Sequence, residues 1–512
     1  MKNLTIRMLH SLFVPLLTIF AASFASAQGA TGIAASAAMY QENCAVCHGE
    51  NLEGSALGRP LRGELRYGDS VPAIIASISN GYETSGMPAW SRIFSEMQIQ
   101  SLALYVTETR ANVDYQTFNY DAPIIIPDGL IATELHNFRI ETIAENLDAQ
   151  PYSIEPLPDG RILLTEKKRG VSIIGTDGTQ SELIRGTPQA YDDSFIVSMD
   201  QERGWGWIFD IVLHPDYADN GWIYLSYGDR CERCNAISRA ADSPVSMIKI
   251  VRGRIQGNEW IDQQTIWEAD LEHYGNQTDL AAGGRLTFDD TGHLYFSAGI
   301  MGVDVAYGVQ DPVFPWGKIH RVNADGSIPA DNPFVNREGV YRSVYTIGHR
   351  SPGGLEFDPY GGGIWGTEHG PRGGDEVNLL LPGANYGWPL YSLGLNYNGT
   401  PVDYGKELGI AFELSEIQQP VVDLTPSPAV SSFIISSSEQ FPEWQGDFLV
   451  GSLKARSLYR FRMQNNTLVG RETLFESFAR IRDIEQGFNG EIYLLLEHNA
   501  GSRIIRLVPA GA

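Results

Sequence analysis

The chain opens on a mostly apolar run, Leu9 to Phe24, placed behind the positive residues Lys2 and Arg7. Ala25-Ser26-Ala27 follows as an A-x-A cleavage site, so residues 1–27 read as a secretory signal peptide that is removed. No second apolar run is long enough to span a bilayer. Further on, "SEMQIQSLALYVTETR", Ser95 to Arg110, carries the polar and apolar spacing of an amphipathic helix. Residues 111–130, "ANVDYQTFNYDAPIIIPDGL", lose the helical period, are largely polar and hold two prolines, which predicts a linker. From Ile131 one theme recurs: a turn with Asp and Gly, then a short strand of aromatic and β-branched residues. It is seen in "PDGRILLTE", "HPDYADNGWIYLSYG", "FDDTGHLYFSAG", "FDPYGGGIWGTE", "WQGDFLVGSL" and "GFNGEIYLLLE". Such units at irregular spacing predict an all-β propeller with long insertions over residues 131–510. A sandwich or a parallel α/β fold is disfavoured, because no regular helical pattern separates the strands.

With 512 residues, two or more domains are expected. The formal charge of −25 argues against nucleic acid as a partner, since phosphate binding needs a basic face. Export places the mature chain in the periplasm, with no membrane span left after the signal is removed. The four cysteines form two C-x-x-C pairs, Cys44/Cys47 and Cys231/Cys234.

Residues 44–48 read Cys-Ala-Val-Cys-His, the attachment motif for haem c: two thiols add to the porphyrin and His48 ligates the iron. A disulfide or zinc pair is the other reading. Zinc needs further Cys or His nearby, and residues 49–112 contain neither. "YETSGMPAW" places Met87 in a Gly-Met-Pro turn some forty residues downstream, where glycine frees and proline fixes the backbone around a sixth iron ligand. Met/His ligation raises the reduction potential and suits electron acceptance. Met97, the competing thioether, lies in the amphipathic helix as core or surface. The segment 34–110 resembles a class I cytochrome c, an all-α domain. Cys231/Cys234 have no following histidine, and in an oxidising compartment a local disulfide is expected.

The block "GTEHGPRGGDEVNLLLPGANYGWPL", residues 366–390, is dense in Gly, Pro and carboxylates, as suits a hard cation held by carbonyl and carboxylate oxygens. Together with "YTIGHRSPGGLEFDP", "SLKARSLYRFR" and "ARIRDIEQGFNGEIYLLL", it makes the segment 131–510 resemble the soluble quinoprotein glucose/sorbosone (aldose sugar) dehydrogenases. These are six-bladed propellers that use pyrroloquinoline quinone (PQQ) and calcium. The resemblance implies that the carbonyls of Gly370 and Pro371 hold the quinone's calcium. Glu376 and Tyr386 would ligate a second, structural calcium. Lys454 would pair with the cofactor, and Arg480 and Arg482 would face its carboxylates. PQQ is a flat tricarboxylate, so fixed cations and arginine forks suit it. Alone, an Arg-x-Arg pair on a strand is usually a solvated pair on one face; Lys454 and the glycine-rich block in the family context favour the cofactor reading.

The pattern also departs from the family. In "NQTDLAAGGRLTF", residues 276–288, the general-base histidine of the family corresponds to Ala281, which cannot accept a proton. A sugar-contacting glutamine corresponds to Trp205, and a cofactor-touching Arg-Asn pair to Val303 and Asp304. Asp279, two residues before Ala281, and His273 are candidate substitutes for the base; an Asp in a polar turn is also an ordinary turn residue. His214, His293 and His320 read as packed or exposed, and His349 as part of a structural turn. Two readings follow. One is a periplasmic quinohaemoprotein dehydrogenase that oxidises a sugar or other alcohol, more apolar if Trp205 narrows the pocket. It would drain electrons through haem c to an external acceptor such as a cytochrome or oxidase. The other is a non-catalytic haem c electron-transfer or ligand-binding protein with a degenerate propeller site.

Overall fold

A computed structural model of the chain describes residues 35–111, 118–196, 202–300 and 308–510. The signal run and the Val303/Asp304 positions lie outside the described residues. From Ile131 the chain winds through six antiparallel blade sheets, with a separate two-stranded ribbon, Phe195–Ile196 with Glu202–Arg203, between the first and second. Each begins with an inner strand: Pro151–Pro156, Ile208–Leu213, Gly283–Phe288, Pro352–Phe357, Val430–Ile435 and Arg480–Gln486. Each inner strand touches the next, and the last touches the first, so the sheets close into a six-bladed propeller. We number the blades one to six in that order.

Asp-Gly turns set the hairpins. The carboxylates of Asp159, Asp177, Asp289 and Asp325 each accept from the backbone N–H two residues on, at 2.9–3.1 Å. The following strands are apolar on both faces, as in Ile162–Glu166 and Ile492–Glu497, where every residue is buried between neighbouring blades. Blade six is made from both ends of the segment: Asn137–Leu147 pairs with Ser502–Pro509 and shuts the ring.

Arg285 stands on the inner strand of blade three and reaches across the axis. Its guanidinium donates to Asp483 at 2.6 Å and to Asp210 at 3.4 Å. It also donates to the carbonyls of Gly353 at 2.9 Å and Arg482 at 3.1 Å, and it lies over the Tyr152 ring. Asp483 in turn accepts from the Ile154 N–H at 2.9 Å, and Asp210 from Leu286 at 2.8 Å. One buried cation therefore joins five of the six blades.

The N-terminal region is helical. Residues 35–43 lead into the short helix Ala45–His48; Val71–Asn80 and the closing helix Glu96–Arg110 follow. Ser70 caps the former, and Ser95 with Gln98 forms a capping box on the latter. Tyr40, Leu52, Leu102 and Val106 form its core beside Cys44. Met97 is exposed on the closing helix. The expected linker is not free of the propeller. Ile124 and Ile126 pack against the core between blades five and six while Ile125 faces solvent, because the alternation of an extended chain presents every second side chain inward. Cys231 and Cys234 are joined as the expected disulfide.

Replacing Arg285 with Met leaves Asp483 and Asp210 buried without their cation. The expected outcome is a loss of about 3–5 kcal/mol of propeller stability, read as a lowered urea midpoint, with the N-terminal helices unaffected.

Candidate functional site

In an antiparallel blade, the lead-in to the first strand and the turn between the second and third strands lie at the same end. Lys167, Trp205, Asp279, Ala281, Arg350, Gly370, Pro371, Lys454 and Arg480 all occupy such segments, so one face of the ring collects them. Blade six contributes the centre. Glu497, at the end of Ile492–Glu497, accepts from Arg480 Nε at 3.0 Å and from Arg482 Nη2 at 2.8 Å, and Lys167 Nζ lies 3.9 Å away. Burial pushes the Glu497 carboxyl up, but Arg482, Arg480 and Lys167 together hold it down at about 2. Lys167 shows the reverse. Burial first, then the positive Arg482, depress its ammonium to about 7. Its Nζ also lies over the rings of Tyr152 and Trp207, 5.7 Å from each centroid. The cluster thus carries more positive charge than its one carboxylate balances.

The last described part of the linker lies on this cluster. The carbonyl of Phe118 accepts from Arg480 Nη1 at 2.6 Å, Arg480 stacks on the Tyr120 ring at 4.1 Å, and Lys454 Nζ lies 5.5 Å from the centre of the Phe118 ring. The Arg480-x-Arg482 pair is thereby largely enclosed rather than solvated; Arg480 is 3% exposed. Across the pocket, the carbonyls of His369 and Gly370 both receive Arg350 Nη1, at 3.2 and 3.3 Å, so these oxygens converge on a positive group. Asp375 pins the turn by accepting from Gly370 at 3.0 Å and Val430 at 2.9 Å. His369 is kept neutral chiefly by burial, reinforced by Arg350 and Arg482 and opposed by Asp375.

Glu376 borders a small cavity lined also by Tyr386, Tyr391, Ser392 and Gln418. Burial, then the neighbouring carboxylates Glu368, Asp423 and Asp375, push its carboxyl well up. The Tyr386 hydroxyl donates to the Leu379 carbonyl at 2.6 Å and accepts from Leu381 at 2.8 Å.

The candidate bases take other positions. Asp279 is enclosed: its carboxylate accepts from Gly206 N–H at 2.8 Å, Trp207 N–H at 3.1 Å and Ser246 Oγ at 2.5 Å. Burial raises it to about 6 against these three donors. This is the geometry of an anchor for the Gly206 turn, with both oxygens engaged by these donors. His273 hydrogen-bonds the Tyr341 hydroxyl at 2.7 Å and packs on Phe314 and Trp316, apart from the cluster. The Trp205 indole donates to the Gln277 carbonyl at 3.0 Å. His349 bridges Thr346 and Glu368, each at 2.8 Å. His320 is wholly buried, while His214 and His293 bond within their own turns. Lys167, Glu497 and His369 are pocket residues that no local sequence pattern marks. The only available sign was a basic or imidazole side chain at a second-to-third-strand turn of a predicted blade.

In the N-terminal domain, both thiols of the C-x-x-C-H motif are unpaired. His48 Nδ1 lies 2.8 Å from the Arg59 carbonyl, which can only accept, so that nitrogen carries the proton and Nε2 keeps its lone pair. Met87 is held by two backbone hydrogen bonds to Tyr82, at 2.8 and 3.2 Å.

Sequence and fold comparisons identify relatives of the two segments. The Glucose / Sorbosone dehydrogenase family pattern matches residues 148–506, and that of Cytochrome C oxidase, cbb3-type, subunit III matches residues 32–106. Aldose sugar dehydrogenase YliI of Escherichia coli is 30% identical over 367 residues, covering 71% of this chain and 91% of that protein. The crystal structure of the soluble aldose sugar dehydrogenase of Escherichia coli in its apo-form superimposes with a TM-score of 0.61 at 28% identity, over 73% of this chain and 100% of that one. The cbb3-type cytochrome c oxidase subunit CcoP of Azospirillum brasilense is 41% identical over 75 residues, which is 13% of this chain and 25% of that protein. The chain belongs to the glucose/sorbosone dehydrogenase family, with a cbb3-type cytochrome c domain fused ahead of its propeller.

Proposed function

We propose that the protein is an exported quinohaemoprotein dehydrogenase, oxidising a sugar or other alcohol and passing the electrons through haem c to an external acceptor. The observation that carries this reading is the excess of buried cations in the pocket, which fits a flat anion of several carboxylates. Arg480, Arg482, Lys454 and Lys167 would hold the carboxylates of PQQ. The carbonyls of Gly370 and Pro371 would hold its calcium, and Glu376 with Tyr386 a second calcium. Cys44 and Cys47 would carry the haem, with His48 and Met87 on its iron. When bound, the quinone supplies the acceptor for the two electrons of a C–OH oxidation, and the iron takes them up one at a time.

The chain's own residues then have defined work. Glu497 locks the two arginines in one orientation, so little side-chain freedom is lost when an anion arrives. His369 sits beside the Gly370 turn as a neutral imidazole, able to take the proton of a substrate hydroxyl in place of the histidine that Ala281 lacks. Trp205 and Trp207 line the neighbouring lead-in with apolar surface and restrict substrate width. The second reading, a haem c protein with a degenerate propeller, is favoured by Ala281 and by the Phe118–Tyr120 cover, and it requires that no quinone binds.

Titration of the haem-loaded protein with PQQ and calcium separates the two. Binding followed by haem reduction on adding an aldose is expected; absence of any absorbance shift overturns the dehydrogenase reading. Binding an anion favours the charged form of Lys167, whose value is about 7 without it. Affinity is therefore expected to fall as pH rises above about 7, and Lys167→Met to flatten that dependence. His369→Gln is expected to slow substrate-driven haem reduction by roughly 10²–10⁴-fold while PQQ binding persists. Asp279→Ala, by leaving the Gly206 and Trp207 N–H groups unpaired, is expected to cost about 1–3 kcal/mol of stability in a thermal melt with turnover retained.

A further inference from the structure

The closing helix of the cytochrome domain touches two cores at once. Leu102 and Val106, four residues apart, pack with Tyr40 and Leu52 beside Cys44. Ser101, Leu104 and Glu108, spaced three and four apart, form a second stripe that faces the propeller. A Cβ on Gly399 would lie 2.8 Å from Ser101 Oγ, and one on Gly373 3.2 Å from a Leu104 methyl. Glu108 takes a two-pronged ion pair from Arg372, with Nε–Oε1 at 2.9 Å and Nη2–Oε2 at 3.0 Å. Both partners are buried, Arg372 completely and Glu108 to 3% exposure.

Arg372 follows directly on Gly370 and Pro371. Its own backbone pairs in both directions with Leu395, at 3.0 and 2.8 Å, so the loop offers the guanidinium from a fixed base. A buried bidentate pair between residues 264 apart in sequence has a high cost if either partner leaves, because the other charge is then stranded away from water. An incidental contact between tethered domains would be expected to be wetter and more exposed.

We propose that Glu108 and Arg372 are the docking pair that seats the cytochrome permanently over the quinone loop, with Leu104 as its apolar partner. This rests on the proposed function. The closing helix is then the spacer between the haem-side core and the Gly370-Pro371 turn, and its width with side chains is about 10–12 Å. Each transfer moves one electron from the reduced cofactor to Fe(III), giving Fe(II), with no bond made or broken across the interface. The proton released from the cofactor passes to solvent. Because the partner is already seated, transfer needs no diffusional encounter. Glu108 is a positioning residue, since it touches neither iron nor substrate.

The test uses the full haem-loaded chain with Glu108→Lys, which sets two positive charges face to face, and Leu104→Asp as an independent break in the same stripe. Expected are a rise in the radius of gyration by small-angle X-ray scattering and a fall of at least tenfold in sugar-driven haem reduction in stopped flow. The haem spectrum and turnover with a small dye that draws electrons directly from the quinone site are expected to stay as in the parent. Unchanged scattering and unchanged haem reduction in both variants overturn the docking role. If the parent shows no dye-linked turnover, the dehydrogenase reading has failed, and the scattering comparison still decides whether Glu108 seats the domain.

Discussion

Arg285 is the interaction on which the rest of the architecture hangs. Six sheets arranged about an axis leave a gap that apolar side chains fill poorly, because the inner strands diverge as the sheets twist. A long planar cation with several donors can reach across that gap and satisfy carboxylates and carbonyls from different blades. Gly353 lets it close: a Cβ there would come within 3.0 Å of the Val430 carbonyl in the next blade. One of the carbonyls that Arg285 holds belongs to Arg482. The axis and the pocket therefore share a backbone atom, and a shift in the hub is felt directly by a pocket guanidinium.

The electrostatics of the pocket run against those of the whole chain. The protein carries a formal charge of −25, yet Lys167, Arg350, Lys454, Arg480 and Arg482 gather on one face, with Glu497 set among three of them. Cations confined in a low-dielectric mouth focus their field outward and oppose the repulsion of the acidic surface toward an incoming anion. Glu497, held near 2, stays ionised at every relevant pH and fixes two of the five. The aromatic faces of Phe118 and Tyr120 lie on Lys454 and Arg480, partners that attract a cation without neutralising it.

The legibility of these features in the sequence followed their range. The C-x-x-C-H motif is complete within five residues, and the structure finds its thiols unpaired and its histidine oriented. The propeller was readable because each Asp-Gly turn and the strand after it form a local unit, repeated often enough to exclude other folds. The arginines and the glycine-rich block were recognisable only as a dispersed pattern. Asp279 shows where local reading stops. A carboxylate two residues from the vacated base position looks catalytic along the chain, and only the packing of blade two against it shows Gly206, Trp207 and Ser246 closing over its oxygens. Lys167 and His369 gain their character from burial and from arginines on other blades. No spacing rule carries that information. The linker's three isoleucines lie between prolines and read as loop, while their docking depends on a groove built by the other end of the chain.

That last contact explains how the two domains come to share one mouth. Because blade six is closed by Asn137–Leu147, the chain must approach the ring at that blade, whose inner strand carries Arg480 and Arg482. Ile124 and Ile126 are fixed there, and Arg372 holds Glu108, near the end of the closing helix, at the loop that follows Pro371. Proximity alone leaves orientation open. The loop at residues 370–376 resolves it, since it supplies the converging carbonyl of Gly370, the Arg372 partner of Glu108 and the half-buried Glu376 within seven residues. A cation that orders this loop would also stiffen the base on which Arg372 stands. The Gly370 turn, the Arg372 partner of Glu108 and Glu376 are thereby joined through one short segment, and a change that loosens it acts on all three.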